Sequence, residues 1–485
     1  MGMTRAVAVT TVAAAISFAA LNAGAASAAI AAKPDGGAQA KVASISCTSA
    51  RNCTAVGYMI PPGQNRAFVV SEQNGSWRQA EKIPGLSALP GGAVRALPTS
   101  VSCSSAGNCS AGGQYVDQAG KGQAFVVSEK GGVWGNAGEV PGSAALNVGG
   151  DASIEQMSCT LAGGCLAAGT YESDSSMDQQ AFVVQEIAGV WGTAQDILGL
   201  DALNTDGVAD VRALFCVHTG NCTVGGYYTG PAGAEPFVAY QNYGEWYAAQ
   251  NFPDVAAANT GGIASIGSLS CGRRGVCTAA GSYRTPDGHT HVFTDSEQNY
   301  VWAGFQPIPG MAALPNRGAV NSSIGFLSCP SAGNCTAGGK YMGASGNTAS
   351  YIVSQVNGVW GNARVLPGLA ALGVRHFPVL TGLSCRSVGN CTAAGSYVVD
   401  LKTFAGRIFV VTEKNGKWGK AEELPGSETL SKGGDLDPEA LSCGAPGYCV
   451  TGGAYATEGG RLAPFVATQS NGIWGKAHRV PGTRP

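Results

Sequence analysis

The sequence predicts an all-β protein: an eight-bladed β-propeller of four-stranded antiparallel blades, with one disulfide inside each blade. Three observations carry that expectation. Sixteen cysteines fall into eight Cys-x5-Cys pairs: Cys47/Cys53, Cys103/Cys109, Cys159/Cys165, Cys216/Cys222, Cys271/Cys277, Cys329/Cys335, Cys385/Cys391 and Cys443/Cys449. First cysteines recur every 55 to 58 residues, and eight tryptophans (Trp77, Trp134, Trp191, Trp246, Trp302, Trp360, Trp418, Trp474) keep the same period. Within each period apolar residues alternate with period two, and no helical 3.6-residue pattern appears. Eight copies of one short meander are the mark of radial repetition. An open solenoid of the same units is the alternative, and it would leave an edge at each end.

Composition narrows the class. The 485 residues hold 29 basic and 31 acidic side chains, a net charge of −2. Charged residues make up 12%, about half the share of an ordinary soluble domain. Glycine numbers 73 and proline 23, yet hydrophobic residues reach 45%, so the chain reads as packed and turn-rich. No basic excess exists to neutralise phosphates, and nucleic acid is excluded as a partner. Residues 1–28 read as a secretory signal peptide: Arg5, an apolar stretch over 6–21, and the small-residue cleavage site Ala26-Ser27-Ala28. An extension over 29–40 and a single propeller domain over 41–485 follow. No later stretch is long and apolar enough to span a membrane. The expectation is a secreted, extracellular monomer whose thiols meet an oxidising compartment.

The second unit shows the elements in order. A strand ends in Val101-Ser102-Cys103, a turn covers 104–108, and a second strand covers 109–116. The third reads QAFVVSE over 123–129; a Gly131-Gly132 turn then leads to Val133-Trp134 and to the return loop at Val140-Pro141-Gly142. Asn-Gly stands in the equivalent turn at 74–75, 357–358, 415–416 and 471–472, which favours a type I′ hairpin. The tryptophans and the third-strand aromatics (Phe68, Phe125, Phe182, Phe237, Phe293, Tyr351, Phe409, Phe465) are expected to pack between blades. Glu72, Glu129, Glu297 and Glu413 end the third strand beside a turn and read as solvated caps. Zinc knuckles need closer cysteines and four ligands, so each cysteine pair reads as a disulfide across a hairpin, with Cα atoms about 5.5–6 Å apart. Chain entropy assigns roughly 2.4 kcal/mol to each such short loop. Asn52, Asn108, Asn221, Asn334 and Asn390 sit in N-x-[ST] patterns, but in the last turn position they read as residues tolerating a left-handed backbone.

SCSSAGNCSAGGQY, with AFVVSE and a following GVWG, resembles secreted, mainly actinobacterial proteins built from paired-cysteine repeats. The resemblance runs from Val42 to Gly482 and implies a propeller fold and secretion. The Ser-Glu-x-Asn-Gly-x-Trp turn is also faintly similar to the Asp-box hairpin of sialidase-like propellers, one residue shorter and without the aspartate. Neither resemblance carries a catalytic residue.

Catalytic motifs are absent: no G-x-S-x-G, H-E-x-x-H, P-loop or EF-hand pattern is found. His289-Thr290-His291 puts two rings on one strand face, but no third ligand is identifiable, and no metal or cofactor is expected. Function is therefore sought where the repeats differ. Eight residues before each first cysteine the return loop enters the channel, and the occupants vary: Arg95, Asp151, Val208, Ile263, Asn321, Phe377 and Asp435. The second departure is aromatic. Tyr240, Tyr243 and Tyr247, with Phe215, Tyr227, Phe252, Tyr300 and Phe305, concentrate over 215–305 outside the repeat positions. Arg95, Asp151, Asn321, Phe377, Asp435, Tyr240, Tyr243 and Tyr247 are thus the candidate ligand contacts. The expected function is extracellular binding of a glycan, a cell-wall polymer or a protein on the loop-rich face. The alternatives are a glycan-cleaving enzyme using carboxylates such as Asp151 and Asp435, and a purely structural scaffold.

Overall fold

A computed structural model describes residues 39–60, 66–173, 178–315, 318–344, 346–372, 376–400, 402 and 405–483. Residues 1–28, expected as a signal peptide, and most of the expected extension over 29–40 lie outside the described residues. Each repeat folds into its own blade. In blade 2 the strands are Arg95–Ser105, Asn108–Val116 and Gly122–Lys130, paired antiparallel in chain order. The fourth strand is interrupted: Val133–Trp134 and Gly138–Glu139 both pair with the third strand. All eight sheets share this plan.

The innermost strands form the ring. Each lies against the innermost strands of its two neighbours, and Gln39–Ser49 of blade 1 meets Leu436–Ala445 of blade 8. Among the described residues the ring therefore closes by contact between two complete blades, with no strand exchanged between the chain ends. At that seam Lys41 pairs with Glu439 at 2.9 Å, Trp77 Nε1 donates to Thr468, and the Ala80 N–H donates to the Pro481 carbonyl. One bond recurs around the ring. The N–H of a blade's first cysteine donates to the serine Oγ just before the first cysteine of the preceding blade, as in Cys103 to Ser46 at 3.0 Å and Cys47 to Ser442 at 3.0 Å. Phe215 stands in the serine's place in blade 4.

Burial follows the seams. The eight apolar clusters each join side chains of two adjacent blades, as Val56, Val69 and Ile83 of blade 1 join Tyr115, Phe125 and Val127 of blade 2. The third-strand aromatics are fully enclosed there, Phe125 and Phe409 at 0% exposure. Every innermost strand carries a bulge, at Thr99 in blade 2 and Glu155 in blade 3, which bends the strand and re-aims one side chain. Opposite the bulge the backbones come so close that a Cβ on Gly113 would stand 2.1 Å from the Leu97 carbonyl oxygen. The glycine four residues after each second cysteine is fixed by this contact.

Eight disulfides form as paired in the sequence: Cys47 with Cys53, Cys103 with Cys109, Cys159 with Cys165, Cys216 with Cys222, Cys271 with Cys277, Cys329 with Cys335, Cys385 with Cys391, and Cys443 with Cys449. The expected geometry is corrected at every bridge. The Cα atoms lie 3.9–4.1 Å apart instead of about 5.5–6 Å, because the two cysteines stand directly opposite each other across one antiparallel strand pair. Nor are the bridges only local staples of a hairpin. The second cysteines, among them Cys165, Cys222, Cys277 and Cys449, are buried, and each belongs to or borders an apolar seam. Cys222 packs in the cluster that joins blades 3 and 4, and Cys277 in the one that joins blades 4 and 5. The Cys449 sulfur lies 3.2 Å from Thr392 Oγ1 of blade 7. Cys165 lines a cleft beside Ser110 and Glu129 of blade 2. The sulfurs of the second cysteines meet the preceding blade, which period-two reading of one hairpin does not reveal.

The asparagine expectation is corrected in its mechanism. In blade 2 the left-handed residue is Gly107, φ 72°, while the Asn108 side chain donates to Ser105 Oγ and accepts from the Gly131 N–H, clasping the disulfide turn to the hairpin turn. The return loops carry short helical turns such as Ser143–Leu146 and Pro253–Ala258.

The solvated-cap reading of the third-strand glutamates is overturned. Glu72, Glu129, Glu297 and Glu413 are 1–5% exposed, as is Glu186 at the same position. The pleat points them into the seam with the preceding blade, where Gln241, Gln355 and Gln469 occupy the other three places.

Candidate functional site

The variable row at the channel entrance starts the innermost strands on the return-loop face, and it mostly closes seams. Asp151 bridges to Gly122 of blade 2 and accepts the Gln114 amide at 2.5 Å. Asn321 accepts the Thr290 N–H of blade 5 at 2.9 Å. Arg95 pairs with Val116 through its backbone, and its Nε has no hydrogen-bond partner. The Asp435 carbonyl accepts from the Ala456 N–H, and burial raises its carboxyl above the usual range. The Phe377 side chain lies outside the described residues. Asp151 and Asp435 belong to blades 3 and 8, with two blades between them along the shorter arc, so this carboxylate pair is not brought together.

Charge gathers instead at the bulges, which the sequence reading passed over. Glu155 of blade 3 is hydrogen-bonded by Ser153 and stands beside Asp210 and Arg212 of blade 4. Arg212 reaches Asp210 through Nε at 2.9 Å and Nη2 at 2.8 Å, and lies over the Tyr227 ring at 5.1 Å. Burial raises both carboxyls, Arg212 opposing the rise at Asp210. The signal was present in the sequence. Lys41, Asp210 and Asp437 sit six residues before the first cysteine and Glu155, Arg212 and Glu439 four before it, where other repeats carry mostly small or uncharged residues.

The tyrosines do converge, on the opposite face. Tyr240 ends up on the third strand of blade 4, Gly233–Asn242, where blade 2 has Ser128. Its ring stacks on Tyr247 at 4.7 Å and 15°, and on Tyr300 of blade 5 at 5.0 Å and 28°. The Tyr300 hydroxyl donates to Asn242 Oδ1 at 2.7 Å, tying the two blades. Tyr243 is 74% and Tyr247 41% exposed. The Arg274 guanidinium lies 4.3 Å over the Tyr243 ring. Local backbone makes this costly. Tyr243, φ 52°, and Tyr300, φ 64°, occupy left-handed turn positions where other hairpins have asparagine and glycine, as at Asn357 and Gly358. A bulky residue there costs on the order of 1–2 kcal/mol. Strain at two neighbouring turns that both present tyrosine is the kind found at binding sites.

The seam glutamates differ in their partners. Glu186 accepts from Ser110 at 2.7 Å and Ser128 at 3.3 Å, and Glu72 accepts from Tyr448 at 2.6 Å. Glu129 Oε2, Glu413 Oε2 and both oxygens of Glu297 have no such side-chain partner, and the second oxygen of Glu72, Oε2, has none either. Burial pushes Glu129 and Glu297 up to about 7, Glu81 adding to the rise at Glu129. Among the described residues no group of three metal-ligating side chains converges, and His289 and His291 contact Asp287 and Tyr283 respectively. No helix among them is long and apolar enough to cross a membrane.

No protein-family model and no curated protein matches this sequence. Solved structures similar to it include a subtype N11 neuraminidase-like protein of A/flat-faced bat/Peru/033/2010, at 10% identity over 66% of this chain and 88% of that one, TM-score 0.37. A GH74 xyloglucanase from Xanthomonas campestris is 13% identical over 80% of this chain and 55% of its own, TM-score 0.41. A Hadza microbial sialidase is 13% identical over 74% and 73%, TM-score 0.39. At these values the likeness carries no functional argument.

Proposed function

We propose that the protein is a secreted, monomeric binding module, and that the tyrosine platform across blades 4 and 5 holds a sugar ring of an extracellular glycan. The strained presentation of Tyr243 and Tyr300 carries this reading. The turns of blades 4 and 5 put tyrosine at left-handed positions at a cost in stability, and both place aromatic surface in one patch. The C–H face of a sugar stacks on such rings, while the Tyr243 hydroxyl, Asn242 and Arg274 offer polar contacts at the rim. Eight disulfides suit an oxidising, extracellular setting. The reading moves the expected contact surface from the return-loop face to the disulfide face.

Affinity electrophoresis against a panel of soluble polysaccharides tests it. At least one should retard the protein, and Tyr243→Asn should weaken that retardation about three- to tenfold, the range of a lost stacking contact. The same variant should keep or raise the melting temperature, because asparagine tolerates the left-handed turn. Lower stability with unchanged retardation would mark the tyrosines as seam filler and overturn the reading.

Glycan cleavage is the second reading, and the neighbouring Glu155 and Asp210 carboxyls in the channel wall favour it, since burial suits one of such a pair to act as an acid. Reducing-end release from the same panel, lost in Glu155→Gln, would support it. Release equal in parent and variant would remove Glu155 from that role.

A further inference from the structure

Clefts open on the disulfide face at the seams between blades, and one of them combines an unsatisfied acid with a wall free of cations. The cleft between blades 1 and 2, about 240 Å³, is lined by Asn52, Thr54, Ser71, Glu72, Asn74 and Glu129, among others, and by no lysine or arginine among the described residues. Its Glu129 is 5% exposed, and the carboxylate Oε2 has no hydrogen-bond partner. An acceptor enclosed and unpaired in this way costs on the order of 1–3 kcal/mol, more for a charged group.

The next seam serves its acid differently. At the equivalent positions Ser110 and Ser128 both donate to Glu186, and the acid is satisfied within the protein. Between blades 1 and 2 the corresponding hydroxyls, Thr54 and Ser71, lie 3.4 Å from each other, and Thr54 also meets the Cys109 sulfur at 3.4 Å. Their geometry leaves Glu129 unserved beside a cavity. The cleft between blades 6 and 7 repeats the arrangement at Glu413, but Arg364 lines it and partly serves the acid. Between blades 4 and 5 the tyrosine stack stands over Glu297.

We propose that the cleft between blades 1 and 2 binds a primary ammonium group, with the Glu129 carboxylate as its counter-ion and the Thr54 and Ser71 hydroxyls as further acceptors. An ammonium carries three donors and no acceptor, which matches two hydroxyl oxygens and a carboxylate. A neutral hydroxyl would leave the charge uncompensated, and an anion would face Glu129, Glu72 and the nearby Glu81. The site is separate from the tyrosine platform, which lies across blades 4 and 5, so neither depends on the other.

Because burial holds Glu129 near pH 7 in the free protein, an arriving ammonium should expel a proton. Calorimetric titration at pH 7 with glucosamine, in two buffers of different ionisation enthalpy, reads both affinity and proton release. Binding with release of up to about half a proton is expected, against none for N-acetylglucosamine, whose nitrogen is uncharged. Nα-acetyl-lysine amide in a parallel arm distinguishes a sugar amine from a lysine side chain. Either one binding with proton release supports the site, and neither binding overturns it. Glu129→Gln should lower the affinity about tenfold or more and abolish the proton release. It should fold, because glutamine already occupies the position in three blades. Glu186→Gln should leave both readouts unchanged. Glucosamine binding that survives Glu129→Gln, or that equals binding of N-acetylglucosamine, would overturn the assignment.

Discussion

A Gly113→Ala chain should be the least stable single glycine variant of blade 2. The added methyl would stand 2.1 Å from the Leu97 carbonyl oxygen and 2.7 Å from the Pro98 Cα, both backbone atoms held by the bulge. Relief would require separating the first two strands of the blade, and with them the Tyr115 and Phe125 side chains that fill the seam with blade 1. Overpacking of this kind, with no flexible side chain to yield, costs about 3 kcal/mol or more. Gly138→Ala in the same blade is the control: no atom lies within 4 Å of its Cβ and its φ is not in the left-handed region. That change should fall within about ±0.5 kcal/mol. Urea unfolding of the two variants checks the contrast. Equal midpoints would mean that the close approach at the bulge does not hold in solution.

The protein should be more stable at pH 5 than at pH 7.5. Glu129 and Glu297 are raised by burial to about 7 in the folded chain, against a carboxyl value near 4.3 when unfolded. The folded state therefore binds more protons than the unfolded state between those two values. Stability is fully present below the unfolded value, falls as pH rises through about 4.5 to 7, and levels off above. Each group contributes on the order of 2–3 kcal/mol to that fall. Asp295, raised by burial to about 6, acts in the same direction. The double variant Glu129→Gln/Glu297→Gln should melt higher than the parent at pH 7.5 and show a flatter pH profile. The natural glutamines indicate how the amide is accommodated, since Gln241 donates to the Gly244 carbonyl at 3.2 Å and Gln469 to the Gly472 carbonyl at 3.4 Å. Melting temperatures that rise with pH over this range, or a double variant as steep as the parent, would contradict buried, unpartnered carboxyls.

The seam clefts, the glutamates and the tyrosines had unequal visibility in the linear chain. Tyr240, Tyr243 and Tyr247 could be picked out because they break a repeat that is otherwise regular. Tyr300 belongs to the same platform, but 53 residues separate it from Tyr247, and only the blade 4 to blade 5 seam brings their stack together around Tyr240. The glutamates misled because a polar residue next to a turn reads as solvated. Glu129 stands just before its hairpin turn, yet the pleat directs that position into the neighbouring blade. The separation of Asp151 and Asp435 could not be read from the linear chain, because the ring distributes equivalent residues around a circle.

The period of the cysteines, tryptophans and glycines determined the blade, its disulfide and the number of blades, since each depends on contacts within one repeat. Whether the ring closes, and how, was decided by tertiary structure, through Lys41 with Glu439 and Glu72 with Tyr448 across nearly the whole length of the chain. So were the acids left unpaired and the clefts beside them. Those features live in the seams, where every contact joins residues about one repeat or more apart, and strand alternation within a single repeat cannot say what the adjacent blade presents.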